Sequence, residues 1–380
     1  MEFQAVSSIA ALSSQQLGVL KQGGIVNVAD LLLASPFDVA RKARVSVKDV
    51  EEILDTVCHA LAKQPRALED VQREGDEKFT TGDERLDEAL GGGVRMGMLW
   101  EVVGESAAGK TQLALQLSLM VQLPPRLGGI AGSTCYVTVT TLLPTSRLID
   151  IRDNHPLLSP SLCDLSDVHT IKAPGIPILL HVLSRRLPDL LDQLLSQRDR
   201  KPVKLLVIDA LTELFHSHDR VSKDTLFQRS KDLTKISALL HGIASKYQIA
   251  VLVLNEVVDV FEQSADADMG RPDEVLYREQ SRLFSRADYV PGGSRKEASL
   301  GLVWANQINV RVMLSRTERM RVLDEDDSRA AKRPRLERPQ ATVAQPIRVR
   351  RLNVIFSSVG PPAALDYVVR KEGITTLPED

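Results

Sequence analysis

Gly104, Gly109, Lys110 and Thr111 complete a G-x-x-x-x-G-K-T spacing inside Leu99-Trp-Glu-Val-Val-Gly-Glu-Ser-Ala-Ala-Gly-Lys-Thr-Gln112. These residue types at this spacing bind polyphosphate. Glycines let successive backbone N–H groups curl around an anion with no Cβ in the way. Lys110 is placed to reach the β- and γ-phosphates, and the Thr111 hydroxyl is a ligand for Mg²⁺. Glu105, Ser106, Ala107 and Ala108 fill the loop, and Gln112 opens the next element. Two elements must hold such a loop. Residues 99–103 form an apolar run the length of one buried strand, and residues 112–121 continue as a Leu- and Ala-rich helix whose positive dipole end faces the same anion. An ordinary glycine turn has no use for a lysine there. The stretch reads as a site for ATP or GTP with Mg²⁺.

A second chemical residue lies about a hundred positions on. Residues 203–209, Val-Lys-Leu-Leu-Val-Ile-Asp, are an apolar run that ends in an acid. In a parallel sheet Asp209 emerges at the carboxyl edge beside the phosphate loop, where it can hold Mg²⁺ through water. Around these two strands the pattern alternates. Residues 134–140 and 167–172 read as strands, 146–151 begins a helix, 176–197 and 226–247 read as helices, and 249–254 is a buried strand ending at Asn255-Glu256. This order predicts an α/β core with a doubly wound, mostly parallel sheet. Residues 300–314 and 347–357 read as two late strands.

The totals restrict the rest. With 380 residues, 43% hydrophobic and 26% charged, the chain suits one large α/β domain and a small companion. A net charge of −2 does not describe a dedicated nucleic-acid binder, so any contact with DNA must be local, weak or shared. The three cysteines, Cys58, Cys135 and Cys163, form no C-x-x-C pair, which suits a reducing compartment and excludes a zinc ribbon. His216 and His218 have no third ligand spaced with them and read as surface residues. No signal peptide and no membrane-length apolar run is present, so the expectation is a soluble intracellular protein without a membrane partner.

Residues 1–66 read as a small helical domain. Val50, Ile53, Leu54, Val57 and Leu61 share one helical face behind a Ser46/Asp49 capping box, and Gly23-Gly24 and Ser35-Pro36 punctuate shorter helices. Residues 67–78 are a charged linker, and the core runs over 79–380. Within it, residues 259–297 show no sustained pattern; this long loop mixes arginines with acids and suits a DNA-facing segment or a solvated one. Residues 316–346, rich in charge, Pro and Ala, read as a disordered insert. The insert's Lys332-Arg-Pro-Arg335 cluster is of the nuclear-import kind, with a solvated charged loop as the plain alternative.

On these residues the chain resembles the RecA/RadA-type recombinases. It is most similar to the eukaryotic recombination-mediator paralogues of the X-ray-repair cross-complementing and yeast double-strand-break-repair branch. The marks are Thr80-Thr-Gly82 with Leu86-Asp87 and Gly91-Gly92, the phosphate loop continuing as Leu-Ala-Leu-Gln-Leu, Leu206-Val-Ile-Asp209, Leu254-Asn255, Leu300-Gly-Leu-Val-Trp-Ala-Asn306 followed by Arg311, and the ending 353–374. The resemblance implies a RecA-type P-loop ATPase core behind an N-terminal helical domain, with ATP and Mg²⁺ as cofactors and a nuclear place in homologous-recombination repair. It implies a hetero-oligomer with recombinase-family subunits that assists strand exchange on single-stranded DNA. By position, the adenine-stacking arginine falls on Arg147, Asn255 falls on the cofactor side, and the DNA-facing loops fall after Leu211 and on 259–297.

Four departures qualify that likeness. The catalytic glutamate that orients the attacking water should close the second strand, and Thr140 stands there. Glu256 replaces the glutamine that senses the γ-phosphate. No F-x-x-A subunit hook is present in the linker, and no glycine-centred DNA-binding hairpin is evident around residues 44–47. Together they imply a subunit that binds ATP, hydrolyses it weakly or not at all, and works beside other subunits.

Overall fold

The computed structural model describes residues 5–62, 67–68, 77–197, 199–215, 223–259, 296–322 and 346–378. Chain contacts divide it into two compact units, 1–75 and 76–380. His216 and His218, the loop residues 260–295 and the Lys332-Arg-Pro-Arg335 cluster lie outside the described residues.

The first unit contains α1 (Ser14–Gln22), α2 (Val28–Leu33), α3 (Pro36–Ala43) and α4 (Val47–Leu61). The capping box sets the start of α4: the Ser46 hydroxyl oxygen accepts from the Asp49 N–H at 3.1 Å, and an Asp49 carboxylate oxygen accepts from the Ser46 N–H at 3.1 Å. Val50, Ile53 and Val57 are buried, and Leu54 and Leu61 pack against the same cluster. Arg44, left-handed at φ 56°, turns the chain between α3 and α4.

The second unit is built on nine strands: β3 (Leu99–Gly104), β4 (Ser133–Thr138), β5 (Val168–Lys172), β6 (Val203–Asp209), β7 (Ala250–Asn255), β10 (Val310–Arg321), β11 (Ile347–Ser357), β12 (Ala363–Arg370) and β13 (Gly373–Thr376). Four short strands form two further ladders, β1 (Lys78–Phe79) with β2 (Val94–Arg95) and β8 (Val257–Asp259) with β9 (Lys296–Ala298). The main sheet runs β13-β12-β11-β10-β3-β7-β6-β4-β5. From β10 to β5 every pairing is parallel, and β10 to β13 pair antiparallel. The parallel strands read as unbroken apolar runs because both faces are covered. Along β6, Leu205 and Val207 enter one core and Leu206 and Ile208 the other. The helix after the phosphate loop, Lys110–Met120, is buried from Leu113 onward. Among the described residues no helix is long and apolar enough to cross a membrane.

Three expectations are corrected. Residues 300–314 are not one strand: Gly301–Ala305 is a helix, and the strand begins at Val310. Leu300, Trp304 and Ile308 enter one core cluster at intervals of four, a helical period that the apolar composition hides. Residues 316–321 belong to β10, where Arg321 pairs with Ile347, rather than to an insert. The 176–197 helix is interrupted, with a π-helical turn over Val182–Arg186 between Ile176–His181 and Leu187–Ser196. Pro188 has no N–H to continue the helical ladder, and the wider turn absorbs that break.

Candidate nucleotide site

β3 ends at Gly104 and the next helix starts at Lys110, so the whole motif lies at the carboxyl edge of the parallel strands. Two glycines are required by geometry. A Cβ on Gly104 would stand 2.5 Å from the Leu314 carbonyl oxygen of β10, and Gly109 has φ +113°. The antiparallel strands clamp the loop from outside. The Tyr367 hydroxyl of β12 donates to the Ala108 carbonyl at 2.5 Å, and Arg350 Nε of β11 donates to the Ala107 carbonyl at 3.2 Å. Glu105 accepts from Lys296 Nζ at 2.7 Å and from the Arg316 guanidinium at 2.9 Å. Burial works to raise the Glu105 carboxyl, but these partners take it below its ordinary value.

Lys110 Nζ donates to the Gly104 and Glu105 carbonyls at 2.7 and 3.1 Å. Desolvation lowers its pKa, against the opposing pull of Glu256, Asp209, Glu105 and Glu213. Asp209 closes β6. One of its carboxylate oxygens accepts from the Thr111 hydroxyl at 3.2 Å and from the Tyr136 hydroxyl at 2.7 Å. Burial first, and the Asp209 charge second, push the Tyr136 phenol well above its usual range, which keeps it a donor. A hydroxyl and a carboxylate converging in this way are hard oxygen ligands of the kind Mg²⁺ selects. The cradle and the donor set therefore fit a Mg²⁺-bound polyphosphate, held by the loop amides, Lys110, Thr111 and Asp209.

The loop faces a cavity of about 910 Å³. Glu105, Ser106, Ala107, Gly109, Lys110, Thr111, Gln112, Arg147 and Asp209 line it, while Gly104 and the buried Ala108 do not. Arg147 is held at one wall. Its Nε donates to Gln112 Oε1 at 2.6 Å, Nη1 donates to the Lys371 carbonyl at 2.8 Å, and Nη2 donates to the Arg370 carbonyl. Asn255 does not reach the cavity. It is fully buried, donates to Glu101 Oε1 at 2.5 Å and accepts from the Thr212 hydroxyl at 2.6 Å, so its amide is committed to the core. The next residue, Glu256, does line the cavity. Thr140 is exposed just past β4, and its hydroxyl donates to the Glu213 carboxylate.

Tyr136, Glu213 and Arg350 also line the cavity, and sequence reasoning assigned none of them. Tyr136 was open to detection, because alternation along β4 puts it and Thr138 on one face, and Thr138 is the register partner of Asp209. Glu213 and Arg350 carry no local signal. One depends on a 3₁₀ turn over Leu211–Phe215, the other on a strand from the far end of the chain.

A phosphate loop between a central parallel strand and a buried helix, with an acid closing a neighbouring strand, defines a P-loop nucleotide-binding core of the RecA type. Residues 72–275 match the Rad51 family. The chain is 32% identical over 312 residues to the DNA repair protein XRCC3 homolog of Arabidopsis thaliana, covering 79% of this chain and 93% of that one. It is 30% identical over 308 residues to the DNA repair protein rhp57 of Schizosaccharomyces pombe, covering 77% and 82%. To the DNA repair protein XRCC3 of Mus musculus it is 27% identical over 385 residues, covering 97% of each. The chain belongs to the Rad51 family, on the recombination-mediator paralogue branch that the sequence marks imply.

Proposed function

We propose that this chain is an ATP-binding recombination mediator subunit. It works in a hetero-oligomer with recombinase-family subunits, assists a strand-exchange recombinase on single-stranded DNA during homologous-recombination repair of double-strand breaks, and acts in the nucleus. The observation that carries the reading is the convergence of Lys110, Thr111 and Asp209 on one cavity at the carboxyl edge of the sheet. Arg147, anchored beside Gln112, offers its guanidinium plane to an adenine. ATP hydrolysis by the chain is slow, since Thr140 is a poor base and Glu256 adds negative charge near the phosphates. That character suits a subunit in which bound nucleotide holds a binding-competent state.

Binding of Mg²⁺–ATP to the full chain tests the site. A hydrogen bond to a charged group is worth about 1.5–3 kcal/mol, so Lys110→Ala is expected to weaken affinity roughly 10- to 100-fold while the circular-dichroism spectrum stays unchanged. Equal affinity in a folded Lys110→Ala variant would refute the assignment.

A further inference from the structure

β4 and β6 are parallel neighbours, in register at Thr138 and Asp209, and the Val139 N–H donates to the Asp209 carbonyl at 3.0 Å. Both strands therefore end together at the cavity, and the residues just beyond them meet above it. Thr140 lies two positions past Thr138, and Glu213 lies in the 3₁₀ turn after Asp209. The turn brings the Glu213 carboxylate to the Thr140 hydroxyl, which donates to it. A glutamate side chain at position 140 would extend beyond the position of that hydroxyl, into the space this carboxylate takes. Glu213 lines the cavity together with Lys110, Thr111 and Asp209.

We propose that Glu213 is the water-orienting carboxylate for ATP hydrolysis by this chain, supplied from the turn after β6 instead of from the end of β4, with Thr140 as its positioning residue. The inference rests on the ATP-binding reading above. Two other acids around the loop hold their carboxylates in bonds: Asp209 accepts from Thr111 and Tyr136, and Glu105 is paired with Lys296 and Arg316. Glu256 is fixed through its backbone, its N–H donating to Thr212 Oγ1 at 3.2 Å and its carbonyl accepting from Ser299 Oγ at 2.8 Å. In the step itself, the water oxygen bonds to the γ-phosphorus while the bond from that phosphorus to the β–γ bridging oxygen breaks. The proton leaving the water passes to Glu213 and then to solvent, and ADP and phosphate are released. A side chain reached through a hydroxyl and half open to solvent gives slow turnover rather than none.

Single-turnover hydrolysis by the full chain in excess over ATP, with Mg²⁺–ATP affinity measured in parallel, tests this assignment. Glu213→Gln keeps an oxygen that can accept from Thr140 but cannot take a proton, so it separates chemistry from packing. The expected result is a rate about 10²-fold lower with unchanged affinity, and recovery in the Thr140→Glu/Glu213→Ala double variant, which returns the carboxylate to β4. Thr140→Val is expected to slow turnover less than Glu213→Gln. A wild-type rate in Glu213→Gln would overturn the assignment, as would wild-type turnover no faster than that of Lys110→Ala. If Mg²⁺–ATP fails to bind the wild-type chain, the nucleotide reading itself falls; if it binds and Glu213→Gln changes nothing, only the role of Glu213 falls.

Discussion

Glu101 is a carboxylate in the middle of the central strand, fully buried, and its partners explain why several scattered sequence marks belong together. Oε1 accepts from Trp304 Nε1 at 2.9 Å and from Asn255 Nδ2 at 2.5 Å, and Oε2 accepts from Arg311 Nε at 2.5 Å. All four side chains have no exposed surface, and Arg311 also lies over the Phe356 ring at 5.5 Å. Asn255 passes the network on to Thr212, whose hydroxyl oxygen accepts from the Glu256 N–H at 3.2 Å at the cavity wall. The network therefore sets where Glu256 and the Thr212 turn stand. Removing one member of a buried ion pair leaves the other charge uncompensated, at about 3–5 kcal/mol. Arg311→Met is expected to lower unfolding free energy by about that amount in urea titration, and Glu101→Leu/Arg311→Met by much less. Additive losses would contradict the pairing. Trp304 and Arg311 were legible in the sequence as marks of a resemblance, yet their reason was not. Glu101 is one polar letter in an apolar run, and its three partners come from distant strands and a short helix.

Among the elements, the parallel strands and the phosphate loop were readable because each carries its own signal: an unbroken apolar run, an acid at its end, glycines at fixed spacing. The antiparallel half was less so. β12 and β13 lack clean alternation because they run along a partly covered sheet edge, and they and the turn between them nonetheless supply Tyr367 and the Arg370 and Lys371 carbonyls that hold Arg147. The far half of β10 was the least legible. In sequence Arg316, Arg319 and Arg321 fall in a charged insert, whereas in the fold they extend β10, which pairs with the strand expected over 347–357 that carries Arg348, Arg350 and Arg351. Several are already engaged: Arg316 with Glu105 at 2.9 Å, Arg319 with Asp366 at 2.6 Å and Arg350 with the Ala107 carbonyl at 3.2 Å. Few phosphates can therefore be neutralised by these two described strands. The isolated chain is expected to bind single-stranded DNA weakly, with log K falling against log salt by a slope no steeper than about −3, as for roughly four phosphates. Tight, steeply salt-dependent binding would show a basic surface beyond these strands.

Taken whole, the chain joins a helical unit and a nucleotide-binding core, and its net charge of −2 gives it no general attraction for nucleic acid. Location and partners must then come from specific segments. If Lys332-Arg-Pro-Arg335 is an import signal, changing Lys332, Arg333 and Arg335 to Ala is expected to leave a tagged protein in the cytoplasm, scored by fluorescence microscopy. Unaltered nuclear accumulation would mean that the cluster is no import signal or that a partner carries the protein in. The chain's membership in the Rad51 family fixes its fold and its kin, and the proposed need for companions rests on its departures from a self-sufficient recombinase. The most direct test is to express the chain with recombinase-family subunits, purify the assembly, and measure both its stoichiometry and its extracted nucleotide. The expected result is a defined hetero-oligomer that carries ATP in this chain's site and loses both nucleotide and partners with Lys110→Ala. A chain that purifies alone, or an assembly equally stable without nucleotide, would contradict an ATP-dependent mediator subunit.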